Sequence, residues 1–466
     1  MKLELPIVTT APIVKQYGEK FLNVFDNRRQ FQHFTNYLTG LIVLPNKSMA
    51  NITRCIVDSA DKTNLSRFFS DAPWKEQEVN EKRVALMNEQ TRGWRKEGEI
   101  KTLSLDDTLC EHVGDLFEYV ARHYDHGDGR YPLAHNPVTS YYGCGPVRFP
   151  VGLELYRRYD EFTAWETYVH KHLPDAEIPR EAKAKAKFQR QVEKTLLQDP
   201  EFAHLHEQFQ TKLDLASTLI DQAVAYGLEF DVILFDGWYL APKVVDCANK
   251  YKKDWVSVLK KNRNLEAASF TLKDEVGNPI KLTGPDIKVE DLVPLIPPNA
   301  FKPIKIGDKT YWTFTFTPRI AGLGKVRLVI SFANADLTGT YVVLITNCCD
   351  WSAQRILETY LRRWPIETFY QDSKQYLGLD EYRMRSAEAF QKHWCLVFVA
   401  YSLLHLDCLL VTDNKARIPT KTIGEACRQQ AQSLIEDLIM YAHERLSKGA
   451  DAHQLLASLF ASQQPA

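Results

Sequence analysis

Phe230-Asp231-Val232-Ile233-Leu234-Phe235-Asp236 is the stretch on which the fold turns. Val232 to Phe235 run apolar without alternation, as in a strand covered on both faces within a parallel sheet. Asp236 then closes the strand at the edge where α/β sheets hold their ligands. An unpaired carboxylate there would be costly, which favours a working Asp236 over a distant cap for the helix expected from Pro242. Around this strand, helices are expected at Leu213–Ala225 and Pro242–Tyr251, and a further strand at Trp255–Leu259. The fold class is therefore α/β.

Upstream, Leu103, Leu105 and Asp107 share one strand face by period two, and the strand ends in Asp106-Asp107-Thr108. Strand parity selects Asp107 as the first candidate ligand, with Asp106 as its competitor. Strands follow at Asn136–Tyr142 and Val147–Tyr156 across the turn Gly143-Cys144-Gly145-Pro146. The Lys-, Glu-, Ala- and Gln-rich residues 160–212 read as helices inserted into the core. Residues 1–95 read as helical, with breaks near Pro45 and Pro73. Met49–Phe69 forms two short helices around Ser59-Ala60-Asp61, which suits either a helix-turn-helix or a plain bundle. Residues 266–346 read as a β-rich insertion, with alternation at Tyr311–Phe316, Val326–Phe332 and Thr340–Thr346. One helix is expected from Ser352 through Lys374, and helices continue to about Phe460. Five regions result: a helical DNA-binding region 1–95, a first core part 96–265, the insertion 266–346, the end of the core 347–404, and helical 405–466.

The composition is that of a globular chain: 466 residues, 45% hydrophobic and 25% charged, with a formal net charge of −1. That balance permits nucleic-acid binding without predicting it. Charge is locally uneven, with six lysines and one arginine against Asp246 and Asp254 between Lys243 and Arg263. Within that run Lys260, Lys261 and Arg263 are either DNA-backbone contacts or a solvated face. The longest apolar run, Cys395–Val411, is interrupted by His405 and Asp407, so a buried helix is expected and no membrane span. The nine cysteines form no Cys-x-x-Cys pair, no secretory leader stands at the start, and a reducing cytoplasm is expected. Asp125, His126 and Asp128 lie among glycines and read as a surface turn.

Asp107, Asp236 and Glu367 form the candidate catalytic set. Three carboxylates at one sheet edge repel one another unless cations join them, and oxygen ligands suit Mg²⁺ or Mn²⁺. Two such ions can activate a nucleophile and steady a leaving oxygen in phosphoryl displacement. On one continuous helix, Tyr360, Arg363, Glu367 and Lys374 would lie within roughly 60° of each other. That face would pair a metal-binding carboxylate with phosphate-gripping donors.

The string Tyr360-Leu361-Arg362-Arg363-Trp364-Pro365-Ile366-Glu367, ending seven residues later at Lys374, resembles the Tyr-x2-Arg-x3-Glu-x6-Lys signature of a large group of bacterial insertion-sequence DDE transposases. Asp106-Asp107-Thr108 resembles that group's first acidic motif and Asp236-Gly237-Trp238-Tyr239 its second. The resemblance implies an RNase H-like core with Asp107, Asp236 and Glu367 serving Mg²⁺, and cut-and-paste transposition. It further implies action on double-stranded DNA bearing terminal inverted repeats and on target DNA, by a dimer in the synaptic complex. A hairpin at the transposon end is also implied, with Tyr360, Arg363 and Lys374 handling nearby phosphates. Leu109-Cys110-Glu111-His112-Val113 departs from the basic, glycine-containing stretch of many relatives. Trp238 and Tyr239 suit either base stacking or core packing. A domesticated DNA-binding protein is the alternative, although binding alone does not require three carboxylates. A glycan hydrolase would use two acids and leave the third without a role.

Overall fold

The computed structural model describes residues 4–57, 62–282, 284–410 and 421–463. One mixed sheet organises the chain. Its main strands are β1 (Thr102–Asp107), β2 (Leu133–Cys144), β3 (Val147–Tyr156), β4 (Val232–Phe235), β5 (Asp254–Val258), β6 (Lys302–Ile306), β7 (Lys309–Phe316), β8 (Arg327–Phe332) and β9 (Tyr341–Thr346). The spatial order is β6-β7-β8-β9-β5-β4-β1-β2-β3. Only β1–β4 and β4–β5 run parallel; the other neighbours are antiparallel. The apolar run Val232–Phe235 is thus a central strand, buried at every position. The β-rich stretch is not a separate layer, because β9 pairs with β5 and carries β6–β8 as an extension of the same sheet.

Helices cover both faces. In chain order they include α1 (Arg28–Val43), α2 (Met49–Cys55), α3 (Lys62–Ser70), α4 (Glu76–Gln90), α5 (Trp165–His172), α6 (Ala182–Leu196), α7 (Pro200–Gln208), α8 (Lys212–Ala225), α9 (Pro242–Lys250), α10 (Ala353–Leu361), α11 (Pro365–Leu377), α12 (Ala387–Leu410) and α13 (Ile423–Ser447). Local sequence sets their starts. Thr211 and Asp214 form a capping box on α8, and proline occupies the first turn of α7, α9 and α11. On one sheet face Val232, Leu234, Val256, Val329 and Leu344 pack against Ile356 and Leu357 of α10. On the other, Leu103, Leu105, Ile233, Phe235 and Trp255 join the large core with Leu215 and Leu219 of α8 and Val244 of α9. Strand pleat therefore sorts the sheet into an α10 face and an α8–α9 face.

The helix expected from Ser352 to Lys374 is two helices. Pro365 has no N–H to donate, and the chain between Thr359 and Glu367 closes instead through tight i→i−3 bonds, among them Arg363 N–H to the Tyr360 carbonyl at 2.9 Å. The N-terminal helices share the main core. Tyr37 donates to His393 Nδ1 at 2.8 Å, and buried Lys392 donates to the Ala72 carbonyl at 2.9 Å. Arg83, fully buried, donates to Ser402 Oγ at 2.9 Å and to the Val151 carbonyl at 2.9 Å. Two short helices flank the Met49–Phe69 break as expected; the turn Ser59-Ala60-Asp61 lies outside the described residues. Leu65, Phe68 and Phe69 of α3 are buried in the bundle. Cys395 lies in α12, and among the described residues no helix is long and apolar enough to cross a membrane. The cysteines are all free.

Candidate active site

The strand ends β1 and β4 lie side by side, with Leu105 level with Phe235. One step on, Asp106 and Asp236 occupy equivalent places. Pleat puts both on the face of Thr102, Ser104, Val232 and Leu234, against which α10 packs. Thr102 and Ser104 indeed line a cleft of about 390 Å³ with Leu361, Arg362 and Pro365. Asp107 points the other way, with Leu103 and Leu105.

Arg363 joins the elements on the α10–α11 face. One guanidinium nitrogen donates to Asp106 Oδ2 at 2.5 Å, and another donates to Glu367 Oε1 at 3.0 Å. Asp106 is only 13% exposed in its side chain, whereas Glu367 reaches solvent at 39%. Burial, reinforced by the charges of Glu367 and Asp107, pushes Asp106 up to about 8 against the pull of Arg363. One guanidinium shared between two carboxylates does not neutralise both. Tyr360 is half-buried beside this group; burial raises its hydroxyl, and the Asp236 and Asp106 charges act the same way. Buried Tyr370, one turn beyond Glu367, is held neutral by burial and then by Asp106.

Asp236 is fixed by its own turn. Its Oδ1 accepts the backbone N–H of Trp238 at 2.9 Å and of Tyr239 at 3.3 Å. Ser257 Oγ donates to the Asp236 carbonyl at 3.0 Å. Gly237 is required here by space, because a Cβ would stand 2.8 Å from the Val258 carbonyl oxygen. The Lys260 stem runs beside the same glycine, 3.6 Å from that Cβ position. Lys261 stands over the Tyr341 ring at 4.0 Å; Lys260 and Lys261 are exposed and Arg263 is half-buried.

Asp107 has a different set of partners. Lys212 Nζ lies 2.8 Å from its Oδ2, Asn136 donates to the same oxygen at 2.8 Å, and the Tyr239 hydroxyl donates to Oδ1 at 2.7 Å. Burial alone would raise Asp107, but the Lys212 charge and these hydrogen bonds hold it below the usual carboxylate range. Lys212 and Asn136, and the bond of Tyr239 to Asp107, escaped the sequence reading because nothing in local pattern marks a partner 29 to 132 residues away. Tyr239 is core, 1% exposed, while Trp238 is 44% exposed under Lys212 Nζ at 5.3 Å from its ring centre. Trp364, between Arg363 and Glu367, is 69% exposed and was also missed. Lys374 donates to the Leu109 carbonyl at 2.8 Å, tying α11 to the chain just beyond β1.

Three carboxylates, Asp106, Asp236 and Glu367, thus share one sheet face with a single guanidinium among them. Hard oxygen donors with excess negative charge fit a divalent cation such as Mg²⁺ in chemistry. They are not gathered into a cage: among the described residues no three acidic, histidine or cysteine side chains converge as a metal-holding group. Arg363 stands between two of them, and would have to yield for them to close on an ion.

Residues 20–279 match the family model described as DDE superfamily endonuclease, and residues 200–403 match the one described as transposase DDE domain. No curated protein matches the chain.

Proposed function

The chain belongs to the DDE superfamily of endonucleases, and from that premise we propose that it is a cut-and-paste DNA transposase built on an RNase H-like core. In this reading it belongs to the Tyr-x2-Arg-x3-Glu-x6-Lys group, acts on double-stranded DNA at terminal inverted repeats, and works as a dimer. The observation that carries it is the placement of Asp106 and Asp236 at equivalent strand ends on one sheet face, with Arg363 bridging Asp106 to Glu367. Asp106, Asp236 and Glu367 would hold Mg²⁺ or Mn²⁺, which when bound activates an attacking oxygen and stabilises a leaving one in phosphoryl transfer.

The protein's own groups do the rest. Arg363 here lies against Asp106 and Glu367, and its planar fork would suit phosphate oxygens brought beside those carboxylates. Tyr360, neutral at physiological pH, donates a hydrogen bond to the same region. Lys374 keeps the glutamate helix against β1 through Leu109 and reaches phosphate only from that tether. Exposed Trp364 and Trp238 offer flat faces to nucleobases. Lys260 supplies backbone contact beside Asp236. Asp107, first expected to be a ligand, is a positioning residue that fixes Lys212 and Tyr239 under the catalytic turn.

The test is cleavage of labelled duplexes carrying the element's ends. Cleavage should need Mg²⁺ or Mn²⁺, stop in excess chelator without loss of helical signal, and fall at least about 10²-fold in Glu367→Gln. Undiminished cutting in chelator would overturn the reading.

A further inference from the structure

The helices between β3 and α8 form a small body with its own core. Trp165 and Val169 of α5, Val192 and Leu196 of α6 and Phe202 of α7 pack together, with Phe188 partly buried against them. This insert hangs from the catalytic edge. The last residue of β3, Tyr156, is level with Asn136, which bonds Asp107. The first residue of α8, Lys212, makes the ion pair with Asp107 and stands 5.3 Å from the Tyr156 ring centre.

α6 has two opposite faces. Lys185, Phe188, Val192 and Leu196 lie along one side, against the insert's core and the carboxylates of Asp160 and Glu166. Lys183, Lys187, Arg190 and Lys194 lie along the other, all exposed, within about 60° of one another at 100° per residue. Among the described residues none of these four stands within ion-pair distance of a carboxylate. Arg190 turns Nε onto the Ala186 carbonyl of its own helix at 3.2 Å.

Neighbours along this stripe are spaced i,i+4, i,i+3 and i,i+4, so three successive pairs repel, each at a cost of a few tenths of a kcal/mol to the helix. Of the large apolar residues described, Leu197 at the helix's C-terminal end is exposed near that side, and one such residue is too little to suit an apolar partner. It runs about 16 Å along the helix. A duplex carries one phosphate charge per roughly 1.7 Å of axis, enough to meet all four cations at once.

We propose that this α6 stripe is a phosphate-binding surface for the DNA duplex lying across the catalytic edge, a second grip outside the carboxylate site. The proposal rests on the reading of the chain as a DNA-cutting enzyme, and names a surface which that reading does not require. The contact is to the backbone: a straight row of flexible cations meets phosphate charge, and such contacts position a duplex without specifying its sequence.

The experiment uses the full chain and a fluorescent duplex of about 40 base pairs, titrated at several salt concentrations. Wild type is compared with Lys183→Gln/Lys187→Gln/Arg190→Gln/Lys194→Gln and with Lys183→Arg/Lys187→Arg/Lys194→Arg. Metal-dependent nicking by wild type is measured in parallel. The quadruple glutamine variant should keep wild-type helical content, lose ten-fold or more in affinity, and shallow the slope of log K against log salt by about 3–4. The arginine variant should bind as wild type. A glutamine variant with wild-type affinity and slope overturns the α6 proposal and leaves the enzyme reading intact, provided wild type still nicks. If wild type neither binds nor nicks any duplex, both fall. If the glutamine variant loses binding to anionic vesicles while its duplex affinity is unchanged, the stripe serves a membrane surface and the proposal is overturned.

Discussion

Asp106 and Asp107 are neighbours in sequence that look to opposite sides of one strand, and asparagine at each should separate two roles. Asp106→Asn removes a ligand of the proposed metal while leaving Arg363 one carboxylate, Glu367. It should keep the fold and lose metal-dependent cleavage by about 10²–10³-fold or more. Asp107→Asn leaves mostly buried Lys212 without its counter-charge, so it should lower stability by about 1–3 kcal/mol and retain cleavage within roughly ten-fold. Nicking rates on one labelled duplex, with thermal unfolding of each variant, decide the matter. Loss of cutting in Asp107→Asn with retention in Asp106→Asn would return Asp107 to the metal. Parity correctly puts Asp107 with Leu103 and Leu105, but period two does not say which face the glutamate helix will cover. That depends on how α10 crosses the sheet, a tertiary fact with no local signature. Asp236 and Glu367 were readable, one from its buried strand and one from the signature around it.

Among the elements, the turn after β4 is the least tolerant. Gly237→Ala would set a methyl group 2.8 Å from the Val258 carbonyl, with strand backbone on one side and the Asp236 turn on the other. We expect a loss of about 1–3 kcal/mol in stability and a larger fall in cleavage than the unfolding alone explains, because the shift moves Asp236. Denaturant midpoints beside nicking rates at 20 °C would measure both; a variant with wild-type values for each would show that the turn has slack. Most elements were legible because their signals are local: alternation for β7 and β8, apolar helical spacing for α8, and Pro242 for the start of α9. The break between α10 and α11 was there to be read in Pro365, yet the spacing of Tyr360, Arg363, Glu367 and Lys374 suggested a continuous helix. What remains intact across the break is the i,i+4 pair Arg363–Glu367. The union of β6–β9 with the central sheet had no sequence signal, since strand pairing over such distances leaves no periodic mark.

At the scale of the molecule, the helical N-terminal region is part of the central body. Tyr37–His393, Lys392–Ala72 and Arg83–Ser402 link it to α12 through buried hydrogen bonds. Deleting residues 1–95 should therefore yield insoluble or molten protein, because α12 loses the partners of buried polar groups as well as apolar cover. A soluble truncated chain with a cooperative unfolding transition would argue that the region is dispensable to folding. Acid stability is a second global property. Burial lowers His135 and His393 to about 4 and His405 to about 3, so each is neutral when folded. The unfolded chain, with ordinary values near 6.5, binds these protons first. Their contribution is therefore fully present above about pH 6.5 and is lost as pH falls toward 4, on the order of 2–3 kcal/mol per residue. Denaturant unfolding at pH 7, 6, 5 and 4 should give steadily falling midpoints; a flat profile would mean the rings stay solvated.

The stalk of the insert has a consequence for engineering. Its two feet, Tyr156 and Lys212, are pinned at the catalytic edge, while everything between them folds about its own small core. Doubling the length of such an excursion adds only about 0.6 kcal/mol of closure entropy. The body between the feet is thus a natural port for a graft: a fluorescent reporter, or a foreign DNA-reading module that redirects where the enzyme cuts, spliced in with both feet retained.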